Sequence, residues 1–352
     1  MLRALPLLVV PLAPVLSWLG AWPAAVFLVG AVAVAVLADW IRRATEQIAA
    51  RTGPSIGGLL NVSLGSLAEL VLAGFVLASG QLDIVRAQIT GSIIATSLLG
   101  LGVAILAAGF RSARQELDRE NVGLLSTMLI LVVITLMLPA VFEWTDLSRT
   151  SPERVRAAEL ALSHGAAGVL LLLYAGNLIY TLITHRDVFS RGETQSPPEW
   201  GLLLSIGVMV VGTAAVAWEA ELVSGAVEET ASTLGLPATF LGVILLAVVG
   251  TASDIVAAIA FARRGQMTIV FTLCVGSAIQ VALVVAPLLV LLAWAFGTPM
   301  TLVFNNPLDL FAIAGAAFIV RAIAADGATT WFEGLLLLGV YALLALAFFY
   351  VG

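Results

Sequence analysis

Apolar runs long enough to cross the roughly 30 Å of a bilayer's hydrocarbon core follow one another along the whole chain. They fall at 4–19, 22–41, 56–79, 88–110, 122–143, 159–183, 200–220, 236–262, 267–295, 308–324 and 330–351. Eleven such runs leave few folds open. Inside hydrocarbon every backbone N–H and C=O must be satisfied within its own segment or a closed barrel, so each run is expected as a helix and no strand is required. Charge or turn residues mark the breaks: Arg42-Arg43, Ala78-Ser79-Gly80, Arg111 to Arg119, Ser148 to Arg156, His185 to Glu199, Arg263-Arg264-Gly265, Asn305-Asn306-Pro307 and Asp326-Gly327. Only 11% of residues are charged and mean hydropathy is +1.09, against about a quarter charged in soluble domains. The expected class is therefore an all-α polytopic membrane protein. Residues 1–20 carry one arginine, are broken by Pro6, Pro11 and Pro14, and lack a small-residue cleavage site; they read as a first membrane helix rather than a signal peptide.

Within this frame one short pattern occurs twice. Gly65-Ser66-Leu67-Ala68-Glu69 is followed by Gly91-Ser92, and Gly250-Thr251-Ala252-Ser253-Asp254 by Gly276-Ser277. From Gly65 to Gly250, from Glu69 to Asp254 and from Gly91 to Gly276 the offset is 185 residues throughout. Glu69 falls on the third run and Asp254 on the eighth, so equivalent positions are five helices apart. An odd number of spans inverts the second copy relative to the first, the arrangement of many secondary transporters. The expected organisation is an N-terminal helix over 1–20, a first five-helix repeat over 21–183, a cytoplasmic linker over 184–199 and a second five-helix repeat over 200–352.

All sixteen basic residues are arginine, and twelve fall on the side of the N-terminus. Positive-inside logic then places the N-terminus, the linker and the 263–265 loop in the cytoplasm and the C-terminus outside. A net charge of −6, scattered along the chain, offers no basic surface for nucleic acid. Cys274 is the single cysteine; it excludes an intramolecular disulfide and a cysteine metal site and reads as a buried, inert thiol.

An ionisable group inside a membrane helix is costly and is usually retained for function. Glu69 and Asp254 each stand four residues after a glycine, a spacing that stacks the Gly65 or Gly250 carbonyl beside the acid on one helical face. Ser66 and Thr251 add a hydroxyl next to each glycine, Ser92 and Ser277 do so on the fourth and ninth helices, and Gln280 lies one turn beyond Ser277. Recurring symmetrically, these groups point to an oxygen-only pocket suited to a hard cation such as calcium. Glu219, Glu221, Glu228 and Glu229 read as a solvated acidic loop at the outer end of helix seven. Asp39 reads as a wet helix end, and Glu333 as the start of an interfacial helix. His164 and His185 fall near helix ends, which argues against a buried histidine relay.

Around these motifs the chain resembles the calcium/proton exchanger family of cation antiporters, over about residues 5–351. The lead-in from Arg51 to Asn61, Thr181 to Phe189, Val227 to Leu236 and Asp326 to Gly334 are all similar to family stretches. The resemblance implies that Glu69 and Asp254 hold the cation with help from Ser92, Ser277, Gln280 and carbonyls near Gly65 and Gly250, and that Glu46 lies near the cation's path. The chain departs from the pattern inside the pocket. Ser66 and Thr251 stand where the family has Asn, Asp254 where it has Glu, Ile255 where His often follows, Thr96 for another Asn and Ile279 for a Thr.

The function so implied is export of calcium from a bacterial cytoplasm across the plasma membrane in exchange for protons, by alternating access and without a cofactor. Sodium, potassium or manganese as the cation, or a non-transporting paralogue, stay open as alternatives because of the altered pocket. An enzyme is not expected: a serine protease needs a membrane-embedded His or Lys partner, and neither acid has the Gly-x-Gly-Asp context of a di-aspartyl protease.

Overall fold

The structure is a computed structural model that describes residues 2–110, 114–143, 152–180, 184, 198–304 and 306–351. Most of the 184–199 linker, His185 and all but Tyr180 and Thr184 of the stretch around them lie outside the described residues. The described residues form eleven helices. They are α1 (Leu12–Trp18, preceded by a 3-10 stretch Leu2–Val9), α2 (Pro23–Leu64), α3 (Leu67–Ala78), α4 (Leu82–Gly109), α5 (Arg119–Glu143) and α6 (Pro152–Ile179). These are followed by α7 (Leu202–Leu234), α8 (Ala238–Ala262), α9 (Met267–Ala295), α10 (Pro307–Ala325) and α11 (Trp331–Val351). Among the described residues nine of them contain a stretch long and apolar enough to cross a membrane, while Leu5–Trp18 and Leu67–Ala78 are shorter. The chain is a predominantly helical polytopic membrane protein of the all-α class.

Three boundaries differ from the sequence reading. First, α2 runs unbroken past Arg42-Arg43. Asp39 pairs with Arg42 at 2.8 Å and with Arg43 at 2.7 Å, and Arg42 also pairs with Glu46. Charges spaced three and four apart support a helix while interrupting its hydropathy, so the break read from hydropathy is a charged band on a continuous helix. Asp39 is thus an ion-paired residue in mid-helix rather than a wet end, and five of the twelve arginines on the N-terminal side (Arg42, Arg43, Arg51, Arg119 and Arg321) lie within α-helices rather than in loops. Second, the third apolar run is split at Gly65-Ser66, leaving α3 only 12 residues long. Third, α7 continues through the acidic segment to a left-handed Gly235 (φ 66°) that closes it. Its 33 residues extend to about 50 Å at 1.5 Å per residue.

Strands, not required by the sequence, do appear. Arg114–Glu116 pairs antiparallel with Ala328–Thr330. Leu117 N donates to the Gly327 carbonyl at 3.0 Å, where Gly327 has φ 64°. Glu333 accepts from Thr330 N at 2.6 Å and so caps the start of α11, the helix start at which it was expected.

α4, α8 and α9 each contain a π-helical turn, at Ala95–Gly100, Leu241–Leu246 and Val281–Val285. Shifted by the 185-residue offset, the turn in α4 maps onto 280–285, where the turn in α9 lies. Both follow directly on the Gly-Ser pairs. Single π turns inside helices occur frequently at functional sites.

By packing, the chain divides into two compact units. The first comprises Met1–Gln88, Leu178–Ser253 and Phe349–Gly352, and the second Ile89–Asn177 and Asp254–Phe348. Each draws on both halves of the sequence, so the units do not coincide with the 21–183 and 200–352 repeats. In the first, α2 and α7 lie along one another with α1 and α3 against them. Small residues permit this approach: a Cβ on Gly212 would meet Ile41 Cγ1 at 3.0 Å. In the second, α5 packs on α9 and α10, and the latter part of α4 packs on α11.

Candidate cation-binding site

Glu69 stands in the first turn of α3, directly after the Gly65-Ser66 break. A helix start carries unsatisfied N–H groups and a partial positive charge, which favour a carboxylate there. Ser66 makes no capping bond with its own side chain, so its hydroxyl does not compete for those N–H groups. Glu69 is 3% exposed. Its stem lies on Gly250: a Cβ built on that glycine would fall 3.3 Å from Glu69 Cγ and 3.6 Å from its Cβ. Any larger residue at 250 would push the acid aside. Both residues belong to the first unit.

The second acid has a different setting. Asp254 sits one turn after Gly250 on α8, within a helix that stays α-helical through both residues. Its Oδ2 accepts a hydrogen bond from Ser277 Oγ of α9 at 2.7 Å; these two belong to the second unit. The duplicated motif is therefore asymmetric in three dimensions, with a helix break beside one acid and a continuous helix beneath the other. Beside Asp254, Ile255 packs toward α4, where a Cβ on Gly100 would meet its Cγ1 at 3.2 Å.

The remaining predicted residues fall on the same elements. Thr251 donates its hydroxyl to the Ala247 carbonyl at 2.8 Å, and Thr96 to that of Ser92 at 2.8 Å. Their protons are used within their own helices, while their oxygen lone pairs remain available. Gln280 is half-buried at the end of the α-helical part of α9, one turn past Ser277. Ser92 is fully buried in α4 and its Oγ has no partner. Gly65 and Ser66 form the turn itself. Among the described residues no three His, Cys, Asp or Glu side chains cluster as a metal site. A cation here would rest on single carboxylates supplemented by neutral oxygens.

Other acids were placed differently by the sequence. Glu46, which the resemblance sets near the cation's path, is ion-paired with Arg42. Glu221, Glu228 and Glu229 are exposed, as read, but along a helix rather than in a loop. Glu219 is 1% exposed inside the first unit. A Cβ on Gly30 of α2 would lie 3.4 Å from its Oε2 and 2.8 Å from Val223 Cγ2. Its spacing of three from Val216 and four from Val223, both fully buried, was the available signal. His164 is in the body of α6 rather than near its end, edge-on to Trp294 with ring centroids 6.3 Å apart. On α4, Gln88 and Thr90, which lie outside the duplicated motif, are almost fully or fully buried polar residues.

Apolar spans, carboxyls buried within them and a duplicated glycine–acid motif define the class: a multi-pass membrane protein with ionisable groups inside its spans. The specific assignment comes from comparison with known proteins. The sodium/calcium exchanger protein family matches residues 22–183 and 204–350. The chain is 36% identical to a Ca(2+)/H(+) antiporter of Synechocystis sp. over 97% of its own length and 95% of the relative's. It is also 36% identical to the Ca(2+)/H(+) antiporter ChaA of Bacillus subtilis, over 93% of each chain. The solved structure of native YfkE superposes with a TM-score of 0.85 at 31% identity, covering 100% of both chains. The chain belongs to the sodium/calcium exchanger protein family and, within it, to the calcium/proton exchangers.

Proposed function

We propose that the chain is a secondary calcium/proton antiporter in which Glu69 and Asp254 bind either calcium or protons. The observation that carries this reading is the pair of repeat-equivalent acids in apolar helices, one buried against Gly250 and the other hydrogen-bonded to Ser277. Two carboxylates neutralise one divalent cation, and the same two groups take up protons when it leaves, so competition couples the two fluxes. Gly65, Gly250, Ser66, Thr251, Ser92, Ser277 and Gln280 supply carbonyl and hydroxyl oxygens of the kind calcium takes in sets of six to eight. The relatives named as Ca(2+)/H(+) antiporters along nearly the whole length support calcium as the cation. The protein is a transporter rather than an enzyme and uses no cofactor. The bacterial relatives favour a bacterial plasma membrane, and the arginine bias favours an N-terminus in the cytoplasm and a C-terminus outside, with calcium moved outward.

A second reading, another cation as substrate, rests on Ser66, Thr251 and Thr96, where hydroxyls stand in place of longer-reaching amide oxygens. A flux screen in proteoliposomes at fixed pH gradient separates the two. Calcium is expected to be transported and to be inhibited weakly or not at all by sodium, potassium and manganese. A manganese or sodium flux that excess calcium fails to inhibit would support the second reading.

Ser277 gives a narrower test. A hydrogen bond to a charged acceptor contributes about 1.5–3 kcal/mol, and Ser277 donates such a bond to Asp254. Ser277→Ala is expected to lower calcium transport by about tenfold or more on that scale, and Ser277→Thr to retain most of it, both read as initial rates at matched protein density.

A further inference from the structure

Three consecutive alternate residues on α4 carry polar side chains that are buried and have no partner. Gln88 is 1% exposed, and neither its Oε1 nor its Nε2 has a hydrogen-bond partner. Thr90 Oγ1 and Ser92 Oγ, in fully buried residues, have none either. Four of the unpartnered buried side-chain atoms among the described residues thus fall within one five-residue stretch. Leaving a buried polar group unpaired is destabilising, and an apolar side chain of similar size would be more stable there. Native structures keep such groups where something else completes them.

Gln88 and Ser92 are four residues apart, so they share one face of α4 with their side chains stacked a turn apart; Thr90 lies on another face. The turn before Gln88 is held firmly. A Cβ on Gly242 of α8 would meet the Ile84 carbonyl and Ala87 Cβ, both at 2.9 Å, so α4 has no slack there. An amide carbonyl and a hydroxyl oxygen on one fixed helical face are ligands for a hard cation or for its hydration water. Gln88 adds an amide carbonyl to a set in which Ser66, Thr251 and Thr96 offer only hydroxyls and Gln280 carries the other amide.

We propose that Gln88, with Ser92 one turn away on the same face of α4, is a coordination step for the transported cation and a determinant of its selectivity. This rests on the cation-transport reading above. The Gln88 carbonyl takes the place of one hydration water while the amide N–H groups hold another, so that a partly hydrated ion is accepted and a bare or tightly hydrated one is disfavoured.

Equilibrium binding of radioactive calcium to the purified full chain, with magnesium and strontium as competitors, tests the proposal. Gln88→Leu is expected to raise the thermal unfolding midpoint, because an unpaired amide is replaced by an apolar group, and to weaken calcium binding at least tenfold. Gln88→Glu, which keeps an oxygen at the same reach, is expected to restore calcium binding and to shift the order of competitors. Thr90→Val, on another face, is expected to leave calcium affinity unchanged. Wild-type affinity and competitor order in Gln88→Leu would overturn the proposal, as would Gln88→Glu binding no tighter than Gln88→Leu. Should the leucine variant fail to fold, Gln88→Met serves for the same comparison. Absence of calcium binding by the wild-type chain would instead overturn the calcium reading together with the proposal that rests on it.

Discussion

Glu69→Gln is expected to reduce calcium/proton exchange by at least about 100-fold, close to 3 kcal/mol at 1.4 kcal/mol per decade, with the fold intact. Glutamine preserves the volume and length of the side chain, so its stem still lies on Gly250. It removes the charge that offsets calcium and the site that accepts the proton. Glu69 also opens the first turn of α3 beside the Gly65-Ser66 break, where a helix start favours an anion by about 0.3–1 kcal/mol. That smaller term bears on stability and leaves most of the loss to lost ion binding. Proteoliposome uptake should show the loss, while the thermal unfolding midpoint moves little. Undiminished exchange by a folded Glu69→Gln protein would remove the acid from the mechanism.

The largest effect on stability is expected from Gly334→Leu. At this position α11 meets α4 backbone to backbone. A Cβ on Gly334 would fall 2.8 Å from the Gly102 carbonyl oxygen, 2.9 Å from Leu106 N and 3.1 Å from Ile105 Cβ. Reciprocally, one on Gly102 would meet the Gly334 carbonyl at 3.1 Å and Leu337 Cβ at 3.0 Å. No rotamer relieves a clash with backbone, so the two helices must separate. Overpacking typically costs about 1–3 kcal/mol and occasionally more, and here the separated face also loses its close helix–helix packing. Gly339→Leu is the internal control, since a Cβ at Gly339 on the same helix meets nothing within 4 Å. Thermal unfolding followed by size-exclusion recovery should show a lower midpoint and less monodisperse protein for Gly334→Leu, and little change for Gly339→Leu. Equal behaviour of the two variants would contradict the packing described.

Much of the fold was legible in the sequence because the bilayer imposes a length and a polarity on each span. α9 occupies Met267–Ala295, the bounds its apolar run gives. Where reading failed, the cause was local chemistry that hydropathy does not encode. The Arg42-Arg43 pair looks like a loop to a hydropathy window, yet Asp39 and Glu46 neutralise Arg42 and Arg43 along one face of a continuous helix. The reverse happened at Gly65-Ser66, where an uninterrupted apolar run conceals a break. The strand pair at Arg114–Glu116 and Ala328–Thr330 joins segments more than two hundred residues apart, a pairing that no local pattern announces.

At the site, the acids and Ser277 were found from the duplicated motif, and Ser277 does donate to Asp254. The hydroxyls of Thr251 and Thr96 turn back to their own helices, a use that residue type allows but spacing does not reveal. Gln88 lies outside the repeated pattern, since its 185-residue equivalent is Leu273, and its burial alone sets it apart. Glu219 was read as part of a solvated acidic loop because the helix was ended too early; its burial places it inside the first unit instead.

The central claim is that one pair of carboxyls exchanges calcium for protons, and simultaneous recording of both fluxes tests it most directly. Purified full-length protein is reconstituted into vesicles carrying a calcium dye and a pH dye, and external calcium is added with the vesicle interior acidic. Calcium entry is expected to alkalinise the lumen in a fixed ratio, to slow when an ionophore collapses the pH gradient, and, with calcium equal on both sides, to reverse when the pH gradient is reversed. Calcium entry that proceeds at the same rate with no pH gradient and moves no protons would contradict the account.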